Sequence, residues 1–62
     1  MPIVQIDILE GRTIDQKREL VRRVTTAVAE SINCSPSAIT IIIREMRKDC
    51  LGLGGALQSD NK

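Results

Sequence analysis

Two runs rich in isoleucine and valine, residues 3–9 and 39–46, flank a single stretch of helical periodicity, and this constrains the fold more than any other feature. The β-branched density of Ile3-Val4-Gln5-Ile6-Asp7-Ile8-Leu9 favours a strand over a helix. Val4, Ile6 and Ile8 fall on one face, and Ile3, Gln5, Asp7 and Leu9 on the other. In the second run Ile39, Ile41 and Ile43 share a face, opposite Thr40, Ile42 and Arg44. Between the runs, Leu20, Val21, Val24, Ala27, Val28 and Ile32 recur at helical spacing, which predicts one helix from Ile14 to Ile32. Thr13 and Gln16 make the Thr-x-x-Gln form of a capping box, and Asp15 complements the helix dipole. Asn33-Cys34-Ser35-Pro36 ends the helix. Strand, helix and strand in that order make a β-α-β unit with two parallel strands and a right-handed crossover. The expected fold class is α+β.

Such a unit leaves sheet edges and one sheet face uncovered. The 62 residues form one expected domain, 1–62, whose own core is marginal. Small domains are stapled by disulfides, metal or association. Two cysteines, Cys34 and Cys50, and no histidine cannot supply the four ligands of a zinc site, nor a disulfide framework. Oligomerisation is the remaining staple.

Composition narrows the partners. Nine basic and eight acidic residues leave a net charge of +1, so no global field draws the chain to nucleic acid or an anionic membrane. With no aromatic residue, base stacking is excluded. No apolar stretch has the length to span a bilayer, and the strand pattern begins at residue 3 with no signal peptide before it. A cytoplasmic protein with reduced thiols is expected. The helix charges Lys17, Arg18, Arg22, Arg23 and Glu30 read as a solvated face. Without histidine, Ser-His and Cys-His nucleophile pairs cannot be built, and Cys50 reads as a small packing residue.

The segment from Arg47 to Leu57 carries glycines at 52, 54 and 55, too many for a stable helix. It reads as a hairpin or as an arm on a neighbouring subunit, anchored by Leu51, Leu53 and Leu57. Phosphate binding is not expected, because no helix follows the glycines and no P-loop lysine stands among them. Residues 58–62 are polar and read as a frayed end.

Pro2 follows Met1 and opens the first strand. Proline tolerates a strand start because its missing N–H is not needed there. Removal of Met1 would also leave a secondary amine at a fixed place, an unusual base.

The string Pro2-Ile3-Val4-Gln5-Ile6-x-Ile8-Leu9-Glu10-Gly11-Arg12-Thr13, followed by Gln16-Lys17, resembles the start of the 4-oxalocrotonate tautomerase family. Ile41-Ile42-Ile43-x-Glu45-Met46-x-Lys48 and Gly52-Leu53-Gly54-Gly55 resemble it at matching distances, so the likeness covers essentially the whole chain. The resemblance implies a β-α-β subunit assembling as dimers into a homohexamer, a trimer of dimers. It implies an amino-terminal proline, here Pro2, as general base. That proline shuttles a proton between enol oxygen and carbon of a small unsaturated 2-oxo acid, with no metal or organic cofactor. Arg12 matches the arginine that grips a substrate carboxylate, a task suited to a planar bidentate fork. Leu9, with Ile8 and the tail leucines, supplies an apolar wall. Such a wall and nearby arginines disfavour the ammonium form and lower the proline pKa.

Two positions depart from the family pattern. Thr40 stands where well-studied members carry a second arginine that polarises the substrate carbonyl. Threonine donates only a neutral hydrogen bond, and loss of such a charged donor costs about 2.7–4 kcal/mol, or roughly 10²–10³ in rate. Arg44 shares the face of Thr40 but lies about 13 Å further along an extended strand. Leu51 replaces the family's tail aromatic and fills less of the site. These departures leave two readings open: a tautomerase of a 2-oxo acid, or a non-catalytic or differently specialised family member. A ribbon-type DNA binder needs a basic strand face, which is not seen.

Overall fold

A computed structural model describes residues 1–60. Strand β1 spans Ile3–Leu9, helix α1 Ile14–Ile32 and strand β2 Thr40–Met46. The hairpin strands β3 (Gly52–Leu53) and β4 (Ala56–Leu57) follow. The expected β-α-β order is realised, and β1 and β2 pair in parallel from Ile3 opposite Thr40 to Leu9 opposite Met46. The second strand begins one residue later than expected. The Ile39 N–H instead donates to the Pro36 carbonyl at 3.2 Å and closes a 3-10 turn over Pro36–Ala38.

Helix α1 starts where its capping box places it. The Gln16 N–H donates to the Thr13 hydroxyl at 3.1 Å, and the Thr13 N–H donates to the Gln16 side chain at 2.9 Å. The helix ends at Asn33, which adopts a left-handed conformation with φ 54°. The Cys34 N–H reaches back to the Ala29 carbonyl at 3.1 Å, the Schellman closure.

The helix lies over the sheet face that carries Val4, Ile6, Ile8, Ile41 and Ile43, all half-buried. Lys17 and Glu45 bridge helix and sheet at 2.7 Å. The opposite sheet face is open, and Ile3 on it is 57% exposed. The helix stripe is only partly covered: Leu20, Val24 and Val28 are half-buried, whereas Val21, Ala27 and Ile32 remain exposed. Among the described residues no side chain is fully buried. The radius of gyration is 14.8 Å, against about 10.5 Å for a compact chain of this length. The fold therefore presents apolar surface on both its sheet and its helix side, as a subunit does.

The tail resolves in favour of a hairpin. Gly54 and Gly55, with φ 62° and 89°, form its two-residue turn, and two successive positive φ values are the requirement of a type I′ turn. Contrary to the frayed end expected from 58 onward, Gln58–Asp60 form a 3-10 turn, and the Gln58 N–H donates to the Leu51 carbonyl at 2.8 Å. Asn61 and Lys62, also in that expectation, lie outside the described residues.

Candidate active site

Pro2 stands at the start of β1, half-buried, its carbonyl accepting the Thr40 N–H at 3.0 Å. This bond extends the β1–β2 ladder by one step and fixes the proline ring at the sheet's end. Met1 before it is 89% exposed and held by little of the protein. Thr40 is thus brought beside Pro2. Its N–H is spent on the Pro2 carbonyl, and its hydroxyl has no hydrogen-bond partner among the described residues.

Arg12 stands at the other end of β1. The strand's seven residues span about 20 Å, so Pro2 and Arg12 of one chain lie too far apart to act on one small substrate. The turn that presents Arg12 depends on Gly11, whose φ of 117° disfavours any side chain. The Glu10 N–H donates to the Met46 carbonyl at 2.8 Å and holds this turn against β2. Arg12 is exposed and makes no ion pair among the described residues.

At this end an open cavity of about 470 Å³ is lined by Ile8, Leu9, Glu10, Gly11, Arg12 and Lys48. A second, of about 230 Å³, lies between Arg12 and the helix, against Ile8, Gln16, Lys17 and Leu20. The apolar wall expected from Leu9 and Ile8 is therefore beside Arg12 and not beside the same chain's Pro2. Leu51 is half-buried and begins the tail after the 3-10 turn Lys48–Cys50 that follows β2. The chosen residues thus divide into two groups: Pro2 with Thr40, and Arg12 with Leu9, with Leu51 in the tail beyond β2. The separation of Pro2 and Arg12 at the two ends of one strand already implies this division. Lys48 was not singled out for a role, although it shares the cavity with Arg12.

The basic residues of α1 are neutralised locally. Arg18 pairs with Asp15 at 2.9 Å, Arg23 with Glu19 at 2.7 Å, and Arg22 also with Glu19. Hydrogen bonds from Arg22 and Arg23 lower the Glu19 pKa from 4.5 to about 2, and the same contact raises that of Arg22. The helix charges are a solvated, self-paired face, as expected, except that Lys17 turns to Glu45. Among the described residues no three histidine, cysteine, aspartate or glutamate side chains gather as a metal site requires. Nor is any helix long and apolar enough to cross a membrane.

The chain is thus a β-α-β unit opening on an anchored proline, with an arginine-bearing cavity at the far end of the same strand. Comparison with known proteins agrees. The family described as Tautomerase enzyme matches residues 2–61. A probable tautomerase of Halalkalibacterium halodurans is 53% identical over 60 residues, covering 97% of this chain and 98% of that protein. A 2-hydroxymuconate tautomerase of Pseudomonas putida is 46% identical over 59 residues, covering 95% and 94%. Among solved structures, a homologue of 4-oxalocrotonate tautomerase superposes with a TM-score of 0.95 at 46% identity, covering 98% of this chain and 100% of that one. A heterohexameric 4-oxalocrotonate tautomerase from Chloroflexus aurantiacus gives 0.93 at 29% identity, with both chains fully covered. The chain belongs to the 4-oxalocrotonate tautomerase family, and it is an isomerase.

Proposed function

We propose that the protein converts a small unsaturated 2-oxo acid between its enol and keto forms, with Pro2 as general base once Met1 has been removed. The neutral proline nitrogen takes the proton from the enol oxygen. The double bonds shift along the carbon chain, and the prolinium returns the proton to carbon. Reactant and product are isomers, so the nitrogen ends as it began. The base works best with a pKa near ambient pH, and an apolar, cationic surrounding lowers an amine's pKa in that direction. Arg12 forks a substrate carboxylate, Leu9 and Leu51 exclude water from the carbon chain, and the Thr40 hydroxyl donates to the developing carbonyl.

The observation that carries this reading is the anchoring of Pro2 in the sheet by Thr40 in a chain matched over its length by tautomerases. The separation of Pro2 from Arg12 along β1 implies that each site takes them from different subunits. The assembly proposed is a homohexamer, a trimer of dimers, in the cytoplasm, where the free thiols Cys34 and Cys50 stay reduced. The heterohexameric structural neighbour supports a six-subunit arrangement. The test is conversion of 2-hydroxymuconate and of phenylenolpyruvate by purified protein whose intact mass shows loss of Met1. Pro2→Ala lowers kcat at least about 10²-fold on this account; activity equal to wild type overturns it.

A second reading, a differently specialised or inactive member, draws on the same Thr40. Only its neutral hydroxyl faces a task that a guanidinium performs better. It predicts a folded assembly that turns over neither substrate.

A further inference from the structure

The tail places a second cation on the cavity that holds Arg12. In the run Arg47-Lys48-Asp49, Arg47 pairs with Asp49. Lys48 keeps no ion-pair partner among the described residues, and its charge falls on the cavity wall. Arg12 also lines the neighbouring cavity toward α1, with Gln16, Lys17 and Leu20. Lys48 also lines the one toward the tail, with Arg47, Asp49 and Ser59. The apolar side chains of Ile8 and Leu9 belong to the same lining. Glu10 is the one acid on the wall, so Lys48 decides the cavity's net charge. With Lys48 the lining is positive; without it Arg12 and Glu10 cancel.

An arginine fork satisfies both oxygens of one carboxylate. A lysine ammonium on the same lining is then a point charge without an anion. A dicarboxylate answers both, its carbon chain crossing Ile8 and Leu9. We propose that Lys48 is a second carboxylate-binding residue that biases the enzyme toward substrates carrying two carboxylates. This rests on the tautomerase reading, in which another subunit's Pro2 completes the cavity.

The experiment compares wild type with Lys48→Met and Lys48→Arg. For the dicarboxylate 2-hydroxymuconate, Lys48→Met raises KM about tenfold with kcat changed less than about threefold, the scale of one charged contact. For the monocarboxylate phenylenolpyruvate the KM rise stays below about twofold, and Lys48→Arg restores most of the loss. Calorimetric titration with unreactive cis,cis-muconate and with sorbate repeats the comparison without turnover. A failure of the proton-transfer reading therefore leaves this test standing. Unchanged dicarboxylate binding in Lys48→Met, or equal loss for mono- and dicarboxylates, overturns the proposal. Size-exclusion elution and circular dichroism equal to wild type show that the variant is assembled and folded. If Lys48→Met fails that control, Lys48→Gln and Lys48→Arg carry the comparison under the same two criteria.

Discussion

The Pro2 carbonyl is held by Thr40 at 3.0 Å, while its nitrogen is left at the strand's end behind an exposed Met1. The proposed base needs this combination: a ring held by the sheet and, once Met1 is removed, a nitrogen that no bond of the fold uses. On the proposed mechanism the neighbouring Thr40 hydroxyl is the weak point, because it would answer developing negative charge with a neutral dipole. Thr40→Arg places a cation there and is expected to raise kcat/KM for 2-hydroxymuconate by about 10²-fold, most of what one such donor contributes. Steady-state kinetics on the assembled protein checks it, and a rate equal to or below wild type assigns the limitation elsewhere. Pro2 and Arg12 stand out in the sequence because each sits in a distinctive string, and Thr40 because it departs from the family pattern. Lys48 was not, because its significance arises only when Arg47 takes Asp49 and leaves it unpaired.

At the scale of elements, the two strands and the helix were legible because periodicity and capping agree. The Thr13–Gln16 box closes both of its hydrogen bonds. Thr13→Ala is expected to cost about 1 kcal/mol per chain in denaturant unfolding, and an unchanged midpoint would show that assembly, not the cap, fixes the helix start. Glu19 makes a pH-dependent contribution. Its folded pKa is lowered from 4.5 to about 2 by Arg22 and Arg23, so its stabilisation is present above about 4.5 and lost as pH falls toward 2. Glu19→Gln should flatten the acid-side decline of Tm over that window, and equal slopes in the two proteins contradict the assignment. The tail was less legible, since a Gly-rich strip with spaced leucines reads more readily as an arm over a neighbouring subunit than as a hairpin. The paired positive φ values of Gly54 and Gly55 decide for the hairpin.

At the scale of the whole molecule, the open sheet face and the exposed Val21 and Ile32 mark surfaces that a single chain leaves in water. Ile42 lies on that open face, in register with Gln5. Ile42→Glu puts a charge into any covering interface, and is expected to shift the mass of the assembly in sedimentation from six copies of the 6.8 kDa chain to smaller species and to abolish activity with it. A variant that stays assembled and active contradicts a role for this face. The need for partners was readable from length and strand count. Which subunits face each other at the site was not, because residue spacing says nothing about that.

The division of the site between the two ends of β1 is tested most directly by mixing two inactive variants, Pro2→Ala and Arg12→Gln, unfolded and refolded together. If each site takes Pro2 and Arg12 from different subunits, random assortment restores both to roughly a quarter of sites. Turnover of 2-hydroxymuconate then returns to about that fraction of wild type. If both residues act from one subunit, every chain in the mixture lacks one of them, and the refolded mixture stays as inactive as its parents.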